Sequence, residues 1–160
     1  MLEWLTTTEY ADWVRESWGW PLALTIHAFG TATVVGFIFI IGLRLFGLFR
    51  TIPYASLNSL FPFIWIAIAL QIASGFTLWM SKPAQYLAAG MFDVKITFVI
   101  IGIIVTAFFQ GTIKREAPAW EKAGKVSSRG LKFVAAAVML WTAVNIAGRL
   151  TAYLTSLYVA

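Results

Sequence analysis

The stretch WPLALTIHAFGTATVVGFIFIIGLRLFGLFR, Trp20 to Arg50, decides the fold. From Pro21 to Leu43 it holds no Asp, Glu, Lys or Arg. That run exceeds the roughly 20 residues a helix needs to cross a hydrocarbon core of about 30 Å. Pro21 suits the first turn of a helix, where its missing N–H costs nothing. Inside the run sits His27, the only histidine among 160 residues.

Three further apolar runs lie downstream. Tyr54 to Met80 is uncharged, with Pro62 near its start, where a kink is tolerated in a membrane helix. Ile96 to Ile113 is the third, beginning about a turn earlier around Met91 to Val94. The fourth runs from about Leu131 to Tyr158 and is interrupted by Arg149. Hydrophobic residues make up 60% of the chain and charged ones 12%, so no solvated surface balances the apolar excess. The expected fold is all-α and integral to the membrane: a four-transmembrane-helix bundle over residues 20–160, preceded by an interfacial segment over residues 1–19. With no cysteine, disulfides, thiolate metal sites, iron–sulfur clusters and covalent c-type haem are excluded. No cleavable signal peptide is expected, because no basic region precedes a short apolar core.

The segment TTTEYADWVRESWGW, Thr6 to Trp20, has another character. Tyr10, Trp13, Val14 and Trp18 share one helical face, and Glu9, Asp12, Arg15 and Glu16 occupy the others. Thr8 is the expected N-cap. These features predict a short amphipathic helix lying on the membrane surface.

Orientation follows from the basic residues. With the N-terminus outside, the inner side holds Arg44, Arg50, Lys114, Arg115, Lys122, Lys125, Arg129 and Lys132, and the outer side holds Arg15, Lys82, Lys95 and Arg149. The positive-inside rule then favours both termini outside, in a bacterial cytoplasmic membrane. KREAPAWEKAGKVSSRGLK, Lys114 to Lys132, is expected to be a long cytoplasmic loop. The net charge of +5 follows this topology, so a nucleic-acid partner is not expected.

The topology brings polar residues of all four helices to one leaflet: His27 and Thr31, then Gln71, Ser74 and Thr77, then Asp93 and Lys95, and last Asn145 and Arg149. The other halves, VVGFIFIIGL and FVIIGIIVTAFF among them, are nearly featureless. Ionisable residues within a span usually face the bundle interior or a cavity. Arg149 has either that role or a snorkelling one at the interface. Lys95 is either functional or an anchor paired with Asp93 or headgroups. Gln71 and Asn145 suit interhelical hydrogen bonds. His27 is either a neutral, hydrogen-bonded imidazole or a metal ligand, since imidazole commonly ligates metals and haem iron. Gly30 and Thr31, one turn beyond it, leave room for a flat macrocycle or for close helix packing. Copper is also open, with Met80 or Met91 as thioether partners.

The segments WPLALTIHAFGTATVVGF, LRLFG, GFTLWMSKP, FDVKITFV and GRLTAY resemble an uncharacterised family of four-helix bacterial membrane proteins, over most of Trp20 to Tyr153. More remotely, a His in the first helix and a Lys opening the third are similar to HemJ-type protoporphyrinogen oxidases, with a comparable layout in CopD-type membrane domains. The HemJ resemblance implies haem b with His27 as its ligand. The Asn-Glu-Pro-like segment of those enzymes has no counterpart, so their activity is not carried over.

The leading expectation is a haem b-binding membrane protein. His27 is the axial ligand, Arg149 and Lys95 lie near the propionates, Asn145 sits at the same depth, and Gly30 gives room. Its expected work is electron transfer or cofactor handling, as a homo-oligomer or within a larger membrane complex. The alternatives are a structural or accessory subunit without cofactor, and a quinone, small-molecule or copper site in the same outer-leaflet region.

Overall fold

A computed structural model describes residues 3–88 and 90–157. The described residues are helical with no strand: α1 (Glu3–Thr6), α2 (Glu9–Glu16), α3 (Gly19–Leu45), a 3-10 turn (Ala55–Leu60) leading into α4 (Phe61–Ser81), then α5 (Pro83–Ala88), α6 (Met91–Ala123) and α7 (Ser128–Leu157). Four of them, α3, α4 with its 3-10 turn, α6 and α7, are long and apolar enough to cross a membrane. The expected end of the fourth span, Tyr158, lies outside the described residues. Large apolar side chains such as Phe29, Phe63, Ile66, Phe108 and Met139 are exposed around the bundle, as lipid contact requires. The chain is an integral membrane protein built as a four-helix bundle.

The helix ends carry local reasons. Thr8 caps α2, its Oγ1 accepting from Ala11 N at 3.2 Å. At the other end of α3, Leu48 N donates to Leu43 O and Gly47 N to Arg44 O, with Gly47 at φ +100°. That closure satisfies the last carbonyls and needs a residue without Cβ. Gly124, left-handed at φ +63°, ends α6.

Two findings differ from the sequence expectations. The segment Lys114 to Lys132 is not a long loop: α6 continues to Ala123, and only residues 124–127 separate it from α7. The reason is a packed face. Ala117 and Trp120 are buried, Tyr54 meets Trp120 edge to face at 5.8 Å, and Glu116 accepts from Trp120 Nε1 and Ser127 Oγ. This packing carries the helix through Pro118.

At the N-terminus two short helices stand where one was expected, and the buried face of α2 is Ala11 and Val14. Trp13 is half exposed and Trp18 is 81% exposed. Small residues win that face because α2 lies tightly on α3: a Cβ on Gly19 would fall 2.7 Å from Val14 Cα. Tyr10 Oη and Thr77 Oγ1 share a hydrogen bond of 2.8 Å, and Arg15, paired with Asp12, donates to Ser81 O. The segment is therefore fastened across the ends of α3 and α4.

The long helices pack as α3 with α4, α6 with α7, and α3 with α7. Helices α4 and α6 meet only near the end of the bundle that carries the α3–α4 and α6–α7 connections, here the loop end. There Phe61 and Phe109 touch edge to face at 5.9 Å, and Trp65 Nε1 donates to Gln110 Oε1 at 2.9 Å. Toward the opposite, terminal end, which carries α1, α2 and α5, a cavity separates them.

Candidate functional site

The site begins with the approach of α3 to α4. A Cβ on Gly30 would lie 2.8 Å from Gln71 Cγ and 3.1 Å from Ala67 O, so glycine allows the helices to close. Gly30 thus serves helix packing. Gln71 Nε2 donates to Thr31 Oγ1 at 2.6 Å, and Thr31 Oγ1 donates to His27 O at 2.9 Å. One turn farther along α4, the His27 ring rests over Gly75, where a Cβ would lie 3.2 Å from His27 Cε1.

His27 Nδ1 lies 3.0 Å from Ser74 Oγ, and that hydroxyl donates its own proton to Leu70 O at 2.6 Å. With its proton spoken for, Ser74 Oγ accepts from His27 Nδ1–H. Neutral imidazole then carries its lone pair on Nε2. The Gln71 backbone also acts on the ring as a hydrogen-bond partner, and no hydrogen bond drawn to Nε2 is found among the described residues. Nε2 is the ring nitrogen left for an occupant of the cavity.

That cavity, of about 230 Å³, is lined by His27, by Ile68, Gln71, Phe76 and Trp79 of α4, and by Phe92, Lys95, Ile96 and Val99 of α6. Trp141 forms its floor, held by a bond from its Nε1 to Thr106 Oγ1 at 2.9 Å and by Gly102 beneath the ring. Beside the imidazole the wall includes Lys95, and behind it lies the Trp79 N–H. Lys95 runs along Gly148 of α7 and has no hydrogen-bond or ion-pair partner among the described residues. Trp79 Nε1 is buried and has no acceptor. Buried donors without partners are rare, so this N–H is a local cost in the packing behind the cavity wall. Helix α5 packs against α4, α6 and α7 at the terminal end, where Tyr86 meets Phe92 at 5.6 Å and burial raises the Tyr86 hydroxyl above its ordinary pKa.

Of the residues expected at the site, His27 and Lys95 come together, with Gln71 beside them. Asn145 and Arg149 are exposed on α7 and do not line the cavity. Asp93 is exposed and forms no ion pair with Lys95. Met80 and Met91 are absent from the wall, and among the described residues no three His, Cys, Asp or Glu side chains gather as a metal site. Sequence reasoning missed Gly75, Trp79 and Trp141. Gly75 had a signal, since it follows Ser74 and lies one turn beyond Gln71. The two tryptophans had none, because aromatics occur on every face of a membrane helix.

Haem b fits the donor set in part and the space poorly. His27 Nε2 suits an axial ligand and Lys95 suits a propionate, but Arg149 is not at hand. A cavity of about 150 Å³ holds one benzene ring. The 230 Å³ here accommodates one substituted ring, and a tetrapyrrole would extend past its open side. No family model, curated protein or solved structure matches the chain.

Proposed function

We propose that this protein binds a lipid-soluble, single-ring molecule of the quinone class in the cavity between α4 and α6, as a subunit of a membrane redox assembly. The carrying observation is one apolar, ring-sized cavity lined by His27, whose Nε2 makes no hydrogen bond among the described residues, by Lys95, which has no ion-pair partner there, and by the Trp79 indole. Lys95 donates to a ring carbonyl and His27 Nε2 accepts from a ring hydroxyl, so both oxidation states of such a ring find a partner. Because α4 and α6 are not packed along this half, the ligand enters sideways from the bilayer, without crossing water. His27 also suits a proton acceptor, its tautomer being set by Ser74.

The second reading is haem b with His27 as axial ligand. The free Nε2 favours it, and the enclosed volume weighs against it. One preparation separates the two. Purified protein, expressed with haem supplied, is scanned in the visible region and then titrated with a short-chain quinone while its tryptophan fluorescence is read. A colourless protein with saturable quenching of Trp79 and Trp141 supports the quinone reading. A Soret band lost in His27→Ala supports haem and overturns it. Absence of both signals leaves the accessory-subunit reading.

The terminal end is proposed to face outward, on the basic count of the loop end. A cysteine at exposed Ala123 should react only with reagents that reach the inner side, and labelling from outside intact cells would reverse the orientation.

A further inference from the structure

At the loop end a second cavity, of about 530 Å³, is lined by three cations, Arg44, Arg50 and Lys125, against one carboxylate, Glu121. Its centre is unusual. Arg44 is only 5% exposed, yet no carboxylate lies within ion-pair distance, the Arg15–Asp12 pair being the only one among the described residues. Backbone carbonyls hold it instead: its Nε donates to Ile52 O and its Nη2 to Arg50 O, and the guanidinium stacks over the Tyr54 ring at 3.8 Å. The nearby Glu121 is engaged elsewhere, accepting from Tyr54 N at 2.9 Å. A buried charge is strongly penalised unless an opposite charge compensates it. The carbonyls orient this guanidinium without neutralising it.

The two other cations are exposed at the rim. Arg50 spends only its Nε, on Gly47 O at 3.1 Å, leaving its terminal nitrogens free, and Lys125 has no partner among the described residues. The turn carrying Arg50 runs through Gly47 at φ +100° and Phe49 at φ +49°, a conformation disfavoured for phenylalanine. Leu45, Phe46 and Leu131 add an apolar side to the same cavity. The site lies at the loop end of the bundle, with exposed Phe46, Leu48 and Phe49 on the connection that borders it.

We infer that this cavity binds the phosphate of an anionic phospholipid, with Arg44 at its base, Arg50 and Lys125 clasping from the rim, and the acyl chains leaving along the apolar side. The shared chemistry is a phosphate diester or monoester, and the lipid is the source because exposed Phe46, Leu48 and Phe49 beside the cavity suit acyl chains. Guanidinium groups suit phosphate oxygens by their paired donors. This site stands apart from the quinone reading and does not depend on it.

The test uses the full chain in detergent, with binding of phosphatidylglycerol and phosphatidylcholine followed by native mass spectrometry. Wild type should retain one phosphatidylglycerol in preference to phosphatidylcholine. A basic residue near a membrane surface contributes about fivefold to anionic-lipid affinity, so Arg50→Ala with Lys125→Ala should weaken binding by roughly 25-fold. Both residues are exposed, so the double variant keeps the fold that an Arg44 substitution would endanger. Glu121→Gln preserves an acceptor for Tyr54 N while removing the negative charge, and it should tighten binding. Equal retention of both lipids, an unchanged double variant, or weaker binding in Glu121→Gln would overturn the assignment. Displacement of the lipid by inorganic phosphate at comparable concentration would also overturn it, in favour of a soluble phosphate ligand.

Discussion

The two ends of the bundle are made from the same apolar residue types and reach opposite results. At the loop end Phe61 and Phe109 are fully buried against each other, and Trp65 is tied to Gln110, so α4 and α6 close. At the terminal end the same helices present Gly75, Phe76 and Trp79 against Phe92, Lys95 and Ile96, and a cavity remains. Hydrophobicity does not separate the two cases, because lipid tails are as apolar as leucine and give helices no reason to associate. Fit and hydrogen bonding do. Packing stability should therefore concentrate where α4 and α6 close at the loop end, and binding of the ring ligand where they part at the terminal end.

The most severe break of that division is Phe61→Ala. It removes a fully buried ring from the closing contact and should cost about 3–5 kcal/mol. Phe76→Ala, at a cavity wall and 55% exposed, should stay within about 0.5 kcal/mol. Reversible unfolding in mixed micelles reads both. Equal losses would mean that the two ends do not differ in packing.

Gly30→Ala comes next, because it presses a methyl onto Gln71 Cγ and the rigid Ala67 carbonyl. Overpacking of this kind costs about 1–3 kcal/mol. The Gln71–Thr31 bond should loosen with it, and the cavity with that bond. Gly36→Ala has open space around its new methyl and serves as the control. A Gly30→Ala protein as stable as Gly36→Ala would show that α3 and α4 do not need this approach.

Much of this contrast was legible beforehand. Four spans and the gathering of polar residues toward one end follow from hydropathy and alternating helix direction. The pairing of helices does not. Nothing in the runs around Gln71 and Lys95 says that α4 and α6 part there, because separation depends on which side chains interlock across the gap. Gln110 was overlooked because it falls just beyond an apolar half-helix, and its partner Trp65 is 45 residues away. Arg149 and Asn145 share the depth of His27 but not its face. Depth was readable from position, whereas rotation about the axis of α7 was set by packing. The α6 extension is not legible in the sequence, because the charged stretch from Lys114 to Lys132 reads as a loop when Trp120 has no visible partner.

A sharper probe of the open end is His27→Ala. Ser74 keeps its bond to Leu70 O, so α4 should be undisturbed and the change confined to the cavity. Losing one hydrogen bond to the ligand, worth about 1.4 kcal/mol, should lower quinone affinity about tenfold. Ser74→Ala should produce a smaller loss, because it frees the imidazole tautomer without removing the imidazole. Fluorescence titration measures both, and an undiminished His27→Ala affinity would move the ligand out of this cavity.

The smallest effect separates ligand binding from folding at a single atom. Among the described residues Trp79 Nε1 is a buried donor without an acceptor, which costs stability. Trp79→Phe removes that donor and keeps an aromatic wall, so the stability of the ligand-free protein should hold or rise by up to about 1 kcal/mol. If a ring carbonyl takes that N–H, the same substitution should lower quinone affinity by a few-fold, since a neutral hydrogen bond nets about 0.5–1.5 kcal/mol. The signs oppose each other: an unchanged or steadier fold, and a weaker complex. A purely structural indole would lose stability on replacement and leave affinity untouched. Unfolding and quinone titration of the one variant, read together, decide which role Trp79 plays.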